Sequence, residues 1–395
     1  MRIIQVVNVR WYNATAWYGL FLSRLLKEAG HKVLVLCLPD TDPVRQAARW
    51  QLPVQEMVLN TQTPSGIIRL YHQLDGLVKR FQPDVVNCHR GESFFLWGLL
   101  RKKHSFTLVR TRGDQRLPRA NWPNRWLHKN SADAVISTNS RMTRHFQDMF
   151  GLRHNLYQVL GGVDTSRFRF LEEEGQTLRK HYGFTKDQTV FGLVGRFDPV
   201  KGHRQVLEAA ARLFSQGQKN FRLLFTGAKA GYNADEVRTW AKAAGIGEIV
   251  VCSDWVEDIS AFISSFDVGL VASQGSETIA RAALEIMACG RPLIGSSVGV
   301  MPDLLSPDAM FEPTDIDALS RLMGRCLSDT AFWDSLRAQQ SAVMANLNEQ
   351  SFVQATLDIY CKACSYSVPN MSKKEGIRRS LRRDRYRTCH RRAYA

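Results

Sequence analysis

A chain of 395 residues with 44% hydrophobic content is too long for one hydrophobic core and predicts two domains. Lysine and arginine number 53 against 37 acids, a formal charge of +16 that directs attention to anionic partners. No run reaches the about eighteen apolar residues of a spanning helix, MRIIQVV is too short for a signal peptide, and the eight cysteines form no framework. The expectation is a cytoplasmic protein with reduced thiols.

In chain order, RIIQVV, KVLVLCL, DVVNCH, TLVRTR, AVISTN and LYQVL are short apolar runs separated by amphipathic stretches such as WYGLFLSRLLKEAG and GIIRLYHQLDGLVKRF. After glycines and an Asp interrupt the pattern at residues 161–169, VFGLVG, FRLLFTG, IVVCS, VGLVAS and PLIGSS repeat it. Such alternation predicts parallel sheets covered by helices on both faces, hence an α/β chain of two Rossmann-like domains, 1–165 and 166–345. Beyond Pro313 the chain reads as largely helical, with a last helix near Ser351 to Cys364 and a basic tail at 366–395.

Two turns of the second half carry the chemistry. In TVFGLVGRFDPVKGH a strand runs into Gly195 and Arg196, then a turn with Lys201 and Gly202 opens a helix from His203 to Phe214. Both cations would project beyond a strand's carboxyl end, where ligands of open parallel sheets lie. Arg grips phosphate oxygens with a planar fork, and Lys adds a mobile point charge. In SETIARAALEIMACGRP, Glu277 and Glu285 stand eight residues apart, and a helix is predicted from Thr278 to Ala288. Eight helical residues rise about 12 Å, the reach from the sugar to the ribose of an extended nucleotide diphosphate sugar. Carboxylates suit hydroxyls and repel pyrophosphate, so the phosphates fall to the cations and to the first-turn N–H groups expected at Thr278, Ile279 and Ala280. The alternative is that Glu277 only complements the helix dipole and Glu285 lies on the surface; the apolar neighbours of Glu285, from Ala282 to Ala288, argue for a paired carboxylate.

With GGVDTSRF at 161–168, VGRFDPVKG and the Glu-x7-Glu segment ending in MACGRP, the chain resembles the retaining glycosyltransferases of family four, of GT-B fold with a deep inter-domain cleft. The resemblance covers nearly the whole chain before residue 366. It implies that Arg196 and Lys201 bind the donor diphosphate, that Glu277 holds donor-sugar hydroxyls in the catalytic centre, and that Glu285 holds the ribose. It further implies that backbone near Trp255 and Val256 faces the base. The first domain would then bind the acceptor, the second the donor, and the last helix, at about 346–365, would return to the first domain. The chain departs from the family's Gly-Gly in the first strand-to-helix loop, where Asn13, Ala14 and Thr15 stand, and from the glycine-rich run after the first Glu.

On the acceptor side, Asn13, Ala14 and Thr15 in the first loop and Arg112 in TLVRTRGDQR are expected to bind the acceptor, that run also offers Asp114, and His89 ends an apolar strand and is expected to face the cleft. His89 or Asp114 would position the acceptor hydroxyl or receive its proton, the alternative being a structural His. No cofactor beyond the nucleotide diphosphate sugar, and no metal, is expected. Asp40-Thr41-Asp42 mimics a metal-binding DxD but lies far from the motifs, and Cys361 and Cys364 lack a second pair at zinc-ligand spacing.

From Ser372 onward ten basic residues face two acids, half of the chain's excess charge. Arg110, Arg112, Arg116, Arg119, Arg125 and Lys129, interleaved with Trp122 and Trp126, form a second basic cluster. Together they suggest an anionic glycolipid acceptor of the lipopolysaccharide-core type and a peripheral position on the inner membrane. VRTRGDQRLPRANWPNRWL also resembles the corresponding stretch of core-assembling family members. Capsule or exopolysaccharide assembly on a lipid carrier is the second enzyme reading. A basic nucleic-acid-binding protein is the alternative of another class; no nucleic-acid-reading motif accompanies the charge.

Overall fold

The computed structural model describes residues 1–253 and 256–366. Trp255 and the basic tail beyond residue 366 lie outside them. Among the described residues the strands form two sheets in which every pairing is parallel. The first contains β1 (Arg2–Val7), β2 (Lys32–Cys37), β3 (Val54–Glu56), β4 (Val85–Cys88), β5 (Thr107–Arg112), β6 (Ala134–Ser137) and β7 (Leu156–Gln158), in the order β3-β2-β1-β4-β5-β6-β7. The second contains β8 (Thr189–Val194), β9 (Phe221–Thr226), β10 (Val250–Ser253), β11 (Val268–Val271), β12 (Leu293–Ser296) and β13 (Met310–Phe311), in the order β10-β9-β8-β11-β12-β13. The two Rossmann-like units expected from the alternation are present. Edge strands β3 and β13 were not legible, because two or three residues such as VQE make no apolar run.

Helices cover both faces of each sheet, so central strands such as β4 and β11 are buried at every residue and read as continuous apolar runs. The last helix, Glu349–Tyr366, packs on the first sheet. Phe352, Ile359, Tyr360, Ala363 and Cys364 are buried there with the first helix, Ala14–Glu28. Tyr360 has no solvent exposure, and its hydroxyl accepts from Gln5 Nε2 at 3.1 Å and Asn87 Nδ2 at 2.8 Å. Burial pushes the phenol well above its ordinary range. Tyr360→Phe would strand two buried amide donors and is expected to cost about 2–4 kcal/mol, read as a lower urea midpoint. An unchanged midpoint would mean that those amides find other partners.

Cys361 and Cys364 sit on the same helix, where the Thr107 hydroxyl donates to Cys364 Sγ at 3.1 Å. Among the described residues no three His, Cys, Asp or Glu side chains gather at metal-binding distance. Asp40 takes a left-handed φ of 54° and donates its N–H to Glu56, while Asp42 opens a short helix.

Candidate active site between the two sheets

In each sheet the strand order reverses once, between β1 and β4 and between β8 and β11. Crevices at the carboxyl ends of such strands bind ligands in open α/β sheets. The turns after β8 and β11 are therefore neighbours in space, although far apart in sequence. Gly202, at φ 76°, ends the first of these turns, and a Cβ on it would lie 1.9 Å from the Ala272 carbonyl oxygen. Only glycine lets the two turns approach so closely.

That approach brings Lys201 to Glu277. Lys201 Nζ donates to Glu277 Oε1 at 2.5 Å, and Ser273 Oγ donates to the same oxygen at 2.5 Å. Glu277 is 5% exposed. Its backbone is clamped as well: Val300 N–H donates to the Glu277 carbonyl at 2.7 Å, and a Cβ on Gly299 would sit 1.9 Å from that oxygen. A buried carboxylate beside an incoming diphosphate is unfavourable unless its charge is matched, and Lys201 matches it. Arg196 is largely exposed and paired with Asp198 at 3.3 Å.

The helix of this motif starts later than its sequence suggests, at Arg281, and runs to Ala288. Ala280 takes a left-handed φ of 51°, which breaks the helix ahead of it. Thr278, Ile279 and Ala280 therefore form a loop, and the first-turn N–H groups belong to Arg281, Ala282 and Ala283. Glu277 precedes the helix, so the 12 Å axial estimate does not apply. The loop instead binds the first domain. The Thr278 carbonyl accepts from Thr138 Oγ1 at 3.2 Å and Asn139 Nδ2 at 3.1 Å, and Ile279 is buried in the first domain's core. Gln115 Nε2 donates to the Gly275 carbonyl at 2.7 Å, and Asp303 accepts from Ser140 N and Gln158 Nε2. Glu285 is on the helix and buried, holding Arg281 Nη2 at 3.2 Å. Val256 is half-buried against the second core.

On the opposite wall His89 does not face the cleft. Its ring lies beneath the first helix, within 3.2 Å of where a Cβ on Gly19 would be, and is 1% exposed. Nε2 meets the Gln5 amide oxygen at 2.7 Å, a partner that only accepts, so this nitrogen carries the proton. Burial, then the Arg110 charge, lower its pKa to about 3. Gly19, the residue that lets the helix settle on the strand end, carried no signal in the sequence. Asp114 lies among three arginines: Arg90 at 3.1 Å, Arg112 at 3.1 Å and Arg110 at 3.8 Å. Arg110 is wholly buried, donates to the Cys88 and Thr111 carbonyls, and has its pKa lowered to about 9 by burial and by Arg112. Asn13 caps the first helix, accepting from Ala16 N at 3.1 Å; Thr15 Oγ1 donates to the Gly113 carbonyl at 3.1 Å, and Ala14 is half-buried between them. Two members of the site that the sequence reading missed are Ser273 and Arg281; the signal for Arg281 was its i,i+4 spacing from Glu285.

Residues 175–342 match the family model described as Glycosyl transferases group 1, and residues 17–167 match that described as Glycosyltransferase Family 4. Each half of the chain thus matches a glycosyltransferase family model, and the two-sheet architecture is the GT-B fold. A D-inositol 3-phosphate glycosyltransferase of Acidothermus cellulolyticus is 28% identical over 43% of this chain and 39% of its own length. A 2-deoxystreptamine glucosyltransferase of Streptomyces kanamyceticus is 26% identical over 52% of this chain and 54% of its own. The chain thus spans about half the length of the curated relatives it matches. Among solved structures, a glycosyltransferase from Rickettsia africae ESF-5 superposes with a TM-score of 0.81 at 16% identity, over 94% of this chain and 99% of that one. HepE of Anabaena, in complex with UDP-glucose, gives 0.74 at 16% identity over 91% and 98%. The lipopolysaccharide outer core galactosyltransferase WaaB gives 0.69 at 15% identity over 91% and 99%. These structures share the fold of this chain.

Proposed function

We propose that this protein is a retaining glycosyltransferase that moves a sugar from a nucleotide diphosphate sugar to a phosphorylated glycolipid of the lipopolysaccharide-core type. The observation that carries the proposal is the hydrogen-bonded Lys201–Glu277–Ser273 cluster where β8 and β11 end side by side. Glu277 would take donor-sugar hydroxyls, Lys201 and Arg196 the diphosphate, and Glu285 the ribose. The leaving diphosphate would gain charge as the glycosidic bond breaks, and fixed cations with a helix amino end stabilise it without reorganising. No resident metal is invoked. The complex of HepE with UDP-glucose supports a nucleotide sugar as the ligand class for this fold.

An acidic acceptor is supported by Arg90 and Arg112, the partly exposed arginines around Asp114, and by an exposed basic and aromatic surface of the same domain. Trp122 is 74% exposed, Lys102 lies 5.4 Å from the Trp126 ring, and Phe95 and Leu99 are exposed on the neighbouring helix. No helix among the described residues is long and apolar enough to cross a membrane. A peripheral position on the cytoplasmic face of the inner membrane, with the tail on anionic headgroups, completes the reading. His89 acts in it as a buried support for the strand end, and Asp114 as the residue that orders the arginines against the acceptor.

The test is a thermal-stabilisation screen of nucleotide sugars. A ligand bound only by the native state at a hundredfold over its Kd adds about 2.7 kcal/mol, a shift of several degrees. A panel without a single stabilising nucleotide sugar would end the proposal. Vesicle binding indifferent to anionic lipid and to deletion of the tail would remove its membrane half. Accumulation of a lipid-carrier intermediate in a deletion strain would move the acceptor to capsule or exopolysaccharide assembly.

A further inference from the structure

Arg281 occupies a position that the sequence reading left without a role. It is the first residue of the helix Arg281–Ala288, the end whose N–H groups and dipole favour phosphate. Its side chain nevertheless leans across the cleft. The guanidinium carbon lies 5.1 Å from the centre of the Trp17 ring and 5.9 Å from that of Tyr12, both in the first domain. Trp17 is a fixed platform, 8% exposed and stacked on Phe21 at 4.9 Å. Gly161 makes the approach possible. A Cβ there would lie 2.7 Å from Ile279 Cγ2 and 3.6 Å from the Trp17 ring, so any side chain would wedge the domains apart.

The edge of the same guanidinium is only partly used. Nη2 donates to Glu285 at 3.2 Å, while Nε is buried with no hydrogen-bond partner. The side chain is about one-third exposed, which leaves a path for a ligand. The neighbouring cations already have partners, Lys201 in Glu277 and Arg196 in Asp198. A nucleotide diphosphate arriving here brings negative charge to a site where those acids and bases balance. Arg281 can answer it, because a planar guanidinium stacks through its face and donates through its edge at the same time. Ribose hydroxyls on Glu285 would compete with Arg281 for that carboxylate and turn its N–H groups towards the phosphates.

We propose that Arg281 reads the ribose–diphosphate stretch of the donor with its edge while its face stays on Trp17 and Tyr12, so that donor binding and domain closure become one event. The inference rests on the nucleotide-sugar reading above and adds to it a donor-binding residue and a reason for the aromatic pair opposite. Tyr12 feels the same neighbours: burial, against the Arg281 charge, raises its phenol to about 12 and keeps it neutral.

The experiment measures affinity by calorimetry for the nucleotide sugar that most stabilises the wild-type protein, in Arg281→Leu, Arg281→Lys, Trp17→Leu and the double variant Trp17→Leu/Arg281→Leu. The expected result is that Arg281→Leu weakens binding about tenfold or more and raises donor KM while kcat changes little. Arg281→Lys, which keeps the charge and loses the plane, falls between. The double variant is no weaker than Arg281→Leu, because both substitutions break one contact. Arg281→Leu binding within about twofold of wild type, or fully additive effects, would overturn the latch and leave the nucleotide-sugar reading standing. A wild-type protein that binds no nucleotide sugar overturns both. Should Arg281→Leu fold poorly, Arg281→Lys carries the test: unchanged donor affinity there overturns the proposal.

Discussion

Glu277→Gln is expected to lower turnover by about 10²–10³-fold, the usual effect of removing one preorganised group from a reacting centre. The substitution keeps the volume and one amide oxygen for Lys201 and Ser273, which both donate to Glu277 Oε1. It removes the charge that holds Lys201 in place and that accepts from sugar hydroxyls. Binding of the nucleoside diphosphate alone should be unchanged or tighter, because a nearby negative charge is gone and Lys201 is released to the phosphates. The additional affinity contributed by the sugar should disappear. Glu277→Ala goes further and leaves the Lys201 ammonium, 20% exposed, without its partner. It is expected to cost on the order of 3 kcal/mol of stability. Steady-state kinetics with calorimetry on both ligands decides the matter; a Glu277→Gln enzyme with near-normal kcat would remove Glu277 from the reacting centre.

Acid should destabilise the fold well above the range in which carboxylates titrate. His89, His128 and His203 are buried at 1%, 4% and 0% exposure. Burial, the largest cause in each, lowers their pKa values to about 3, 3 and 4. In the unfolded chain each takes up a proton below about pH 6.5. The native protein does not follow until pH 4 or lower. Between those limits the unfolded state binds more protons, so the stability present at neutral pH is lost as pH falls through the window. Each histidine contributes about 1.4 kcal/mol per pH unit there, and three together about 4 kcal/mol. Urea midpoints at pH 6.5, 6.0 and 5.5 test this before the acids interfere. His128 offers a control: it packs among Phe94, Phe146 and Phe150, and its Nε2 has no hydrogen-bond partner. His128→Leu should reduce the slope by one proton's share. A midpoint that stays level from pH 6.5 to 5.5 would mean that these imidazoles protonate inside the fold.

Much of the architecture was legible because parallel strands buried on both faces have no polar alternation to disguise them. VGLVAS and DVVNCH each contain a fully buried strand. The errors came from tertiary contacts. The predicted helix over 278–288 loses its first three residues because Ile279 is drawn into the first domain's core and Ala280 turns left-handed to allow it. His89 looked like a cleft residue because it ends a strand, yet a glycine in the first helix lets that helix close over it.

The sequence by itself determined the two sheets, the turn chemistry after β8 and β11, and the identity of the charged groups there, since these follow from hydrophobic periodicity and from side-chain chemistry within single segments. Tertiary structure alone decided that Lys201 neutralises Glu277, that Asp114 is ringed by arginines, and that Arg281 crosses to Trp17. Each of those contacts depends on strand order and on glycines that let backbones touch, and no local pattern encodes a distance between segments 76 residues apart.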